Sequence, residues 1–223
     1  MHNIVQKLIV IENEIKSYLG DLKKNNLPKI IAVSKTFKID KILPLINHGH
    51  IDFGENKIQE AIDKWTDIKE KNTNIQLHMI GKLQTNKVKL AVKLFDYIHS
   101  VDSEKLAKKI ADEQEKINKR IKIFIQVNIG KENQKSGIDK DRVSDLVIYC
   151  KKINLNVVGL MCIPPVDQDP TIYFKEIFLI NKKLNFSDLS MGMSSDYIQA
   201  TQNGATYLRI GSSIFGKRFF NNA

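Results

Sequence analysis

Residues 121–163 read IKIFIQVNIGKENQKSGIDKDRVSDLVIYCKKINLNVVGLMCI, and this stretch decides the class of fold. The runs at 121–128 and 157–163 are rich in β-branched and other apolar residues, which is typical of buried strands. Residues 141–151 between them carry apolar side chains at helical spacing, namely Val143, Leu146, Val147 and Cys150. A strand, a helix and a second strand in this order predict a βαβ unit with parallel strands.

The same alternation continues along the whole chain. Strand-type apolar runs lie at eight places: 29–34, 50–54, 75–80, 97–101, 121–128, 157–163, 189–193 and 206–210. Further helical patterns lie at 39–48, 86–95 and 104–117, the last with Leu106, Ile110 and Ile117 on one face. Eight strands that alternate with helices predict a (β/α)8 TIM barrel, an α/β fold, as one domain over residues 1–223. An open doubly wound sheet is the alternative.

An additional helix is predicted at 3–19, before the first strand. Its apolar residues recur on one face: Ile4, Leu8, Ile11, Ile15 and Leu19. Because the repeating unit starts with a strand, this helix is an addition to the barrel.

The composition is that of an ordinary folded protein, with 42% hydrophobic and 27% charged residues among 223. The formal charge of +10 invites a nucleic-acid interpretation, but only four of the 35 basic residues are arginine and no basic tract carries interleaved aromatic residues. We therefore expect no nucleic-acid partner. The sequence contains no membrane-length apolar run and no export signal. We expect a cytoplasmic monomer, with no membrane partner and with Cys150 and Cys162 reduced.

Lys35 is the first candidate functional residue. It directly follows the apolar run 29–34, at the barrel end where TIM-barrel chemistry lies. Partial desolvation lowers the pKa of a lysine and raises its neutral, nucleophilic fraction, as a Schiff-base lysine requires. The alternative is a lysine that extends its ammonium group into water.

The loops after the last two strands predict an anion site. They read SMGMSSD at 190–196 and RIGSS at 209–213. Small residues let backbone N–H groups approach a phosphate, and TIM barrels commonly bind phosphate at these two loops. Ser194, Gly211 and Ser212 are the candidates, and the two serines can instead be helix N-caps.

Two polar residues near strand ends are further candidates. Arg209 lies within the apolar run 206–210, where alternation directs it into the barrel, toward either a buried carboxylate or a ligand. Asn56 ends the second strand, where an asparagine more commonly serves as a turn or helix cap. Cys162 is predicted to be a core residue. The five histidines show no ligand spacing, so we predict no metal site.

Seven motifs in chain order resemble the pyridoxal phosphate homeostasis protein family, whose barrel is similar to the N-terminal domain of alanine racemase. They are AVSKT (32–36), FGEN-x-x-QE (53–60), H-x-IG-x-LQ-x-NK (78–87), K-x-G (135–137), GLM-x-IPP (159–165), GMS-x-D-x-x-x-A (192–200) and RIG-x-x-IFG (209–216). They cover nearly the whole chain. The departures from the family pattern, at Lys57, Cys162 and Ser212, affect only the detail of the pocket.

The resemblance implies that pyridoxal 5′-phosphate (PLP) is the cofactor. Lys35 would form the internal aldimine, and Arg209 would donate to the pyridine nitrogen. Asn56 would line the ring pocket, and the phosphate would be held by Ser194, Gly211 and Ser212. Lys135 and His78 are weaker correspondences.

The expected function is PLP binding for PLP homeostasis, with no catalytic residues and apo PLP-dependent enzymes as partners. An arginine at the ring nitrogen weakens the electron sink, and the sequence ends after the eighth βα unit, without the second domain that supplies a racemase with its opposing tyrosine. The alternatives are a PLP-dependent amino-acid racemase, an aldolase-like barrel whose lysine attacks the carbonyl of a sugar phosphate held by the phosphate loops, and a nucleic-acid binder.

Overall fold

The computed structural model describes residues 2–20, 27–132 and 134–216. Eight parallel strands form a closed barrel in chain order, from β1 to β8. The strands are β1 (Lys29–Val33), β2 (Asp52–Glu55), β3 (Gln76–Met79), β4 (Tyr97–Val101), β5 (Lys122–Val127), β6 (Asn156–Cys162), β7 (Asp188–Ser190) and β8 (Tyr207–Ile210).

Helices cover the outside of the barrel. They are α1 (Asn3–Leu19), α2 (Ile39–Asn47), α3 (Ile58–Lys71), α4 (Val88–Leu94), α5 (Glu104–Lys116), α6 (Val143–Lys152), α7 (Pro170–Lys183), α8 (Tyr197–Gln202) and α9 (Ser212–Phe215). Short 3-10 turns precede α4 and α6. In the described part of the chain, no helix is both long enough and apolar enough to cross a membrane.

The predicted TIM barrel with an extra N-terminal helix is confirmed. Each of the eight predicted runs overlaps a strand, and β1 pairs with β8. That pairing closes the barrel and rules out the open sheet. Helix α1 has the predicted bounds and packs its buried face against α8 and α9.

One predicted helix position is wrong. Helix α5 ends at Lys116, and Ile117 lies outside it with 41% of its surface exposed. The sequence patterns also did not predict α3 and α7. The apolar residues of α7 do not lie on a single face, since Ile172 and Leu179 are exposed while Phe174 and Ile177 are buried.

Alternation along the strands separates two cores. One apolar cluster lies between the strands and the helices, and a smaller one fills the barrel with Ile31, Tyr97, Phe124, Met161 and Tyr207. The barrel interior also holds polar side chains, because Arg209 and Tyr207 share one face of β8. Polar groups in this position need partners, and these partners position the site.

Candidate functional site

A cavity of about 330 Å³ lies at the carboxyl ends of the strands that meet at the β1–β8 seam. Apolar side chains form part of its wall, including Val33, Ile80 and Ile163. All six residues predicted from the sequence line it, namely Lys35, Asn56, Ser194, Arg209, Gly211 and Ser212. They come from the ends of β1, β2 and β8 and from the loop after β7, as the barrel rule predicts. That they bind PLP stays a prediction at this point.

Lys35 lies on a tight turn directly after β1. The preceding Ser34 is buried, Lys35 is half-buried, and Thr36 has a positive φ of 68°. A positive φ is uncommon for a residue other than glycine, so surrounding contacts must hold this turn.

The contacts come from a buried carboxylate on β2. Glu55 Oε1 accepts hydrogen bonds from Ser34 Oγ at 2.7 Å and from Trp65 Nε1 at 2.9 Å. Lys64 Nζ donates to the same oxygen at 2.9 Å and to the backbone oxygen of Ser34 at 2.9 Å. The residue before Lys35 is therefore fixed through both its side chain and its backbone.

A second carboxylate fixes the residue after Lys35. Glu60 Oε1 accepts from the backbone N–H of Thr36 and from Lys64 Nζ. Lys64 thus links both carboxylates, and its side chain is only 7% exposed. We call Glu55, Glu60 and Lys64 the turn clamp. Two of its members belong to the FGEN-x-x-QE motif, but sequence reasoning assigned them no role.

The loops after β7 and β8 form a polar cradle. Ser194 Oγ accepts from the backbone N–H groups of Gly211 and Ser213, each at 3.2 Å, which leaves its own hydroxyl proton available. The backbone N–H groups of Ser194, Ser195 and Ser212 donate to no protein oxygen in the described part of the chain. These donors suit an oxyanion.

The alternative that Ser194 and Ser212 are simple N-caps does not hold. Asp196 and Gly211 occupy the N-cap positions of α8 and α9, and Ser212 is the first residue of α9. Gly192 allows the β7 loop to fold this closely, because its φ is +87° and a Cβ there would lie 2.5 Å from Ala200 Cβ.

Arg209 forms the inner wall of the cavity and is only 5% exposed. Its Nη1 donates to Ser190 Oγ at 2.7 Å, and its Nη2 donates to the backbone oxygen of Cys162 at 2.9 Å. Among the described residues it forms no salt bridge, so the carboxylate alternative is wrong. Burial lowers the pKa of Arg209, but a guanidinium stays protonated at neutral pH.

Asn56 does not cap a helix, since the N-cap of α3 is Lys57. Its Oδ1 is buried and has no hydrogen-bond partner in the described part of the chain. Buried side-chain oxygens usually have partners, so a ligand group is a natural partner here. Cys162 is a core residue, as predicted, and burial raises the pKa of its thiol to about 12.

The two weaker candidates lie elsewhere. Lys135 lines an adjoining cavity of about 320 Å³ that shares Asn56, Ile80 and Ile163 with the first. Its Nζ donates to the backbone oxygen of Pro164 at 2.9 Å. His78 is fully buried inside the barrel. In the described part of the chain, no cluster of three or more His, Cys, Asp or Glu side chains is arranged to hold a metal ion.

The fold and the site define a barrel of the alanine racemase type. The family model described as alanine racemase, N-terminal domain, matches residues 14–218. Alanine racemase from Clostridium difficile has a similar fold, with a TM-score of 0.72 at 14% identity. The match covers 99% of this chain and 58% of that one.

Curated relatives identify the particular family to which this barrel belongs. The pyridoxal phosphate homeostasis protein of Pasteurella multocida is 33% identical over 98% of this chain and 99% of its own length. The protein of the same name from Aquifex aeolicus is 36% identical over 86% of this chain and 88% of its own. The structure of PipY from Synechococcus elongatus with PLP bound has a TM-score of 0.84 at 29% identity, over 96% of this chain and 100% of that one. The chain belongs to the pyridoxal phosphate homeostasis protein family.

The turn clamp generates the first prediction. Lys64→Met should lower the free energy of unfolding by about 3–5 kcal/mol, because it leaves the Glu55 carboxylate buried without its cation. Urea denaturation followed by circular dichroism measures this change. The matched control is Lys108→Met, which breaks an exposed pair with Asp112 at the same i,i+4 spacing and should leave the midpoint nearly unchanged. Equal losses of stability in the two variants would contradict the role of Lys64 in the turn clamp.

Proposed function

We propose that this chain binds PLP reversibly in the cavity at the β1–β8 seam and serves PLP homeostasis, with little or no catalytic turnover. The observation that carries the proposal is that an amine, a guanidinium and an oxyanion cradle line one small cavity. Curated relatives named pyridoxal phosphate homeostasis proteins and the PLP-bound PipY structure support the choice of ligand.

The polar groups of the cavity match those of PLP. The cradle formed by Ser194, Gly211 and Ser212 suits the phosphate, through backbone N–H groups and the Ser194 hydroxyl. The N–H groups of Arg209 that face the cavity suit an unprotonated ring nitrogen. Asn56 Oδ1, which lacks a partner among the described residues, suits a hydroxyl donor on the ring. Val33 and the other apolar wall residues suit the faces of the ring.

Lys35 is the proposed covalent anchor. PLP supplies an aldehyde that reacts with amines and a ring that withdraws electrons. The neutral Lys35 amine condenses with this aldehyde to form an imine and releases one water molecule. The turn clamp holds the backbone on both sides of Lys35, so the side chain starts from a fixed place at the cavity. Because the condensation is reversible by water, bound PLP can be released again to apo-enzymes.

Low turnover follows from the same lining residues. Among the described residues that line the cavity, Lys35 carries the one amine, and no His, Asp, Glu, Tyr or Cys side chain lies beside it. Racemisation needs a proton carrier on each face of the cofactor. Arg209 is a permanent cation, so it disfavours protonation of the ring nitrogen and weakens the electron sink. Exchange of α-protons of amino acids at enzyme-like rates would favour a racemase instead.

Lys35→Ala should abolish the imine. Wild-type protein mixed with PLP and reduced with borohydride should carry a pyridoxyl group on the peptide containing Lys35, which peptide mass mapping detects. Lys38→Ala, at an exposed lysine three residues further on, is the control and should retain both the adduct and the visible absorbance. An adduct of equal yield in Lys35→Ala, or one spread over surface lysines, would refute the anchor.

Ser194→Ala should weaken PLP binding about ten- to a hundredfold, because a hydrogen bond to a charged group contributes about 1.5–3 kcal/mol. The affinity for pyridoxal, which lacks the phosphate, should change less than about twofold. Fluorescence titration with both compounds measures the two affinities. A similar loss for both would show that Ser194 does not act on the phosphate.

A further inference from the structure

Five inward-facing polar side chains join across the barrel interior in a single file of hydrogen bonds. His78 Nε2 lies 3.0 Å from Asp52 Oδ1, and His78 Nδ1 lies 2.9 Å from His99 Nε2. His99 Nδ1 lies 2.9 Å from Ser190 Oγ, which accepts from Arg209 Nη1 at 2.7 Å. We call Asp52, His78, His99, Ser190 and Arg209 the interior file. The proposed function assigns a role only to its last member.

The middle of the interior file is fully buried, and its two ends are nearly so. His78, His99 and Ser190 are 0% exposed, Arg209 is 5% exposed and Asp52 is 6% exposed. The imidazole rings are also fixed by stacking, since His78 lies 4.3 Å from the Tyr97 ring and His99 lies 4.3 Å from the Phe124 ring, measured between centroids. In such a place every contact needs one donor and one acceptor, because an unmatched buried polar group is costly.

Only one arrangement of protons with neutral histidines satisfies all four contacts. An ionised carboxylate only accepts, so the contact with Asp52 requires a proton on His78 Nε2. The other contacts follow from that end, and Ser190 gives its own proton to His99 Nδ1 while its oxygen accepts from Arg209. A neutral His99 then carries its proton on Nε2 and donates to His78 Nδ1. A neutral His78 likewise carries its proton on Nε2 and donates to the Asp52 carboxylate. Both histidines are therefore Nε2–H tautomers, and the direction of donation runs from Arg209 to Asp52.

Burial keeps both imidazoles neutral. It lowers the pKa of His78, against the opposing effects of Asp52 and Asp96. It lowers the pKa of His99 further, and the neighbouring His78 and Arg209 act in the same direction. The remaining groups that face the two rings are Lys29, which also lowers the pKa of His78, and the rings of Tyr97, Tyr207 and Phe124.

The hydrogen bonds of Arg209 within the protein determine which of its N–H groups remain available to a ligand. One N–H is given to Ser190 and one to the backbone oxygen of Cys162. A guanidinium has five N–H groups, so three have no protein acceptor in the described part of the chain, and Arg209 lines the cavity. Because Ser190 gives its own proton to His99, its hydroxyl hydrogen is directed away from Arg209 and an oxygen lone pair faces the guanidinium.

We propose that Asp52, His78, His99 and Ser190 are positioning residues that fix the rotation of the Arg209 guanidinium and direct its remaining N–H groups into the cavity. The orientation is a property of the protein alone, and only the identity of the ligand as PLP rests on the proposed function. Asp52 acts at the far end of the file by selecting the tautomer of His78, which selects that of His99.

The test is nitrogen NMR of the full chain without ligand. Long-range correlation spectra of ¹⁵N-histidine protein at neutral pH should show His78 and His99 as neutral Nε2–H tautomers, with free histidine in the same buffer as the reference. The Nη resonances of Arg209, assigned through Arg209→Lys, should be separate because rotation is hindered. An Nδ1–H tautomer, a charged His99 or averaged Nη resonances would overturn the proposal.

A matched pair of serine substitutions tests whether the interior file fixes the Arg209 guanidinium. Ser190→Ala should average the Arg209 Nη resonances and weaken PLP binding about three- to tenfold. Ser100→Ala removes a hydroxyl that is also buried but has no partner in the described part of the chain, and it should change neither. Equal effects would overturn the positioning role. If wild-type protein does not bind PLP, the proposed function fails, while the NMR spectra still decide the arrangement of the file.

Discussion

Pairing between β1 and β8 is the constraint on which the rest of the molecule depends. Ile31 lies opposite Arg209 and Ala32 opposite Ile210. This register places the turn that carries Lys35 beside the loop that carries Gly211 and Ser212, although these residues lie near opposite ends of the chain. Neither half of the sequence contains the site alone, so the amine and the oxyanion cradle come together only when the barrel closes.

Two buried polar networks hold the two sides of the seam. The turn clamp fixes the backbone around Lys35, and the interior file fixes Arg209 from inside the barrel. Both consist of groups that are costly to bury without partners, and such networks favour one arrangement of the surrounding side chains. Lys35 itself is half-buried while the backbone of its neighbours is fixed. A reversible carbonyl-binding site needs this combination, because the reacting group must be reachable and its position must be constant.

Local patterns in the sequence predicted much of this structure. The strands were visible because each is a short apolar run, and alternation along β8 correctly directed Arg209 inward. Helix α7 gave no clear outline, since its apolar residues face both the core and the solvent. The file was missed because its contacts join residues far apart in sequence, such as His99 and Ser190, 91 positions apart. Polar residues at inward positions of apolar strands indicate such a network. Sequence reasoning considered only Arg209 among them.

The central claim is that PLP occupies the seam cavity with its aldehyde carbon at Lys35 and its phosphate at the β7 and β8 loops. A crystal structure of the full chain grown with PLP tests it most directly. The account predicts continuous density between Lys35 Nζ and the cofactor. It also predicts the phosphate within hydrogen-bond distance of Ser194 and Ser212, and the ring nitrogen facing Arg209. Density for PLP at another lysine, or a ring turned so that its phosphate meets Arg209, would contradict it.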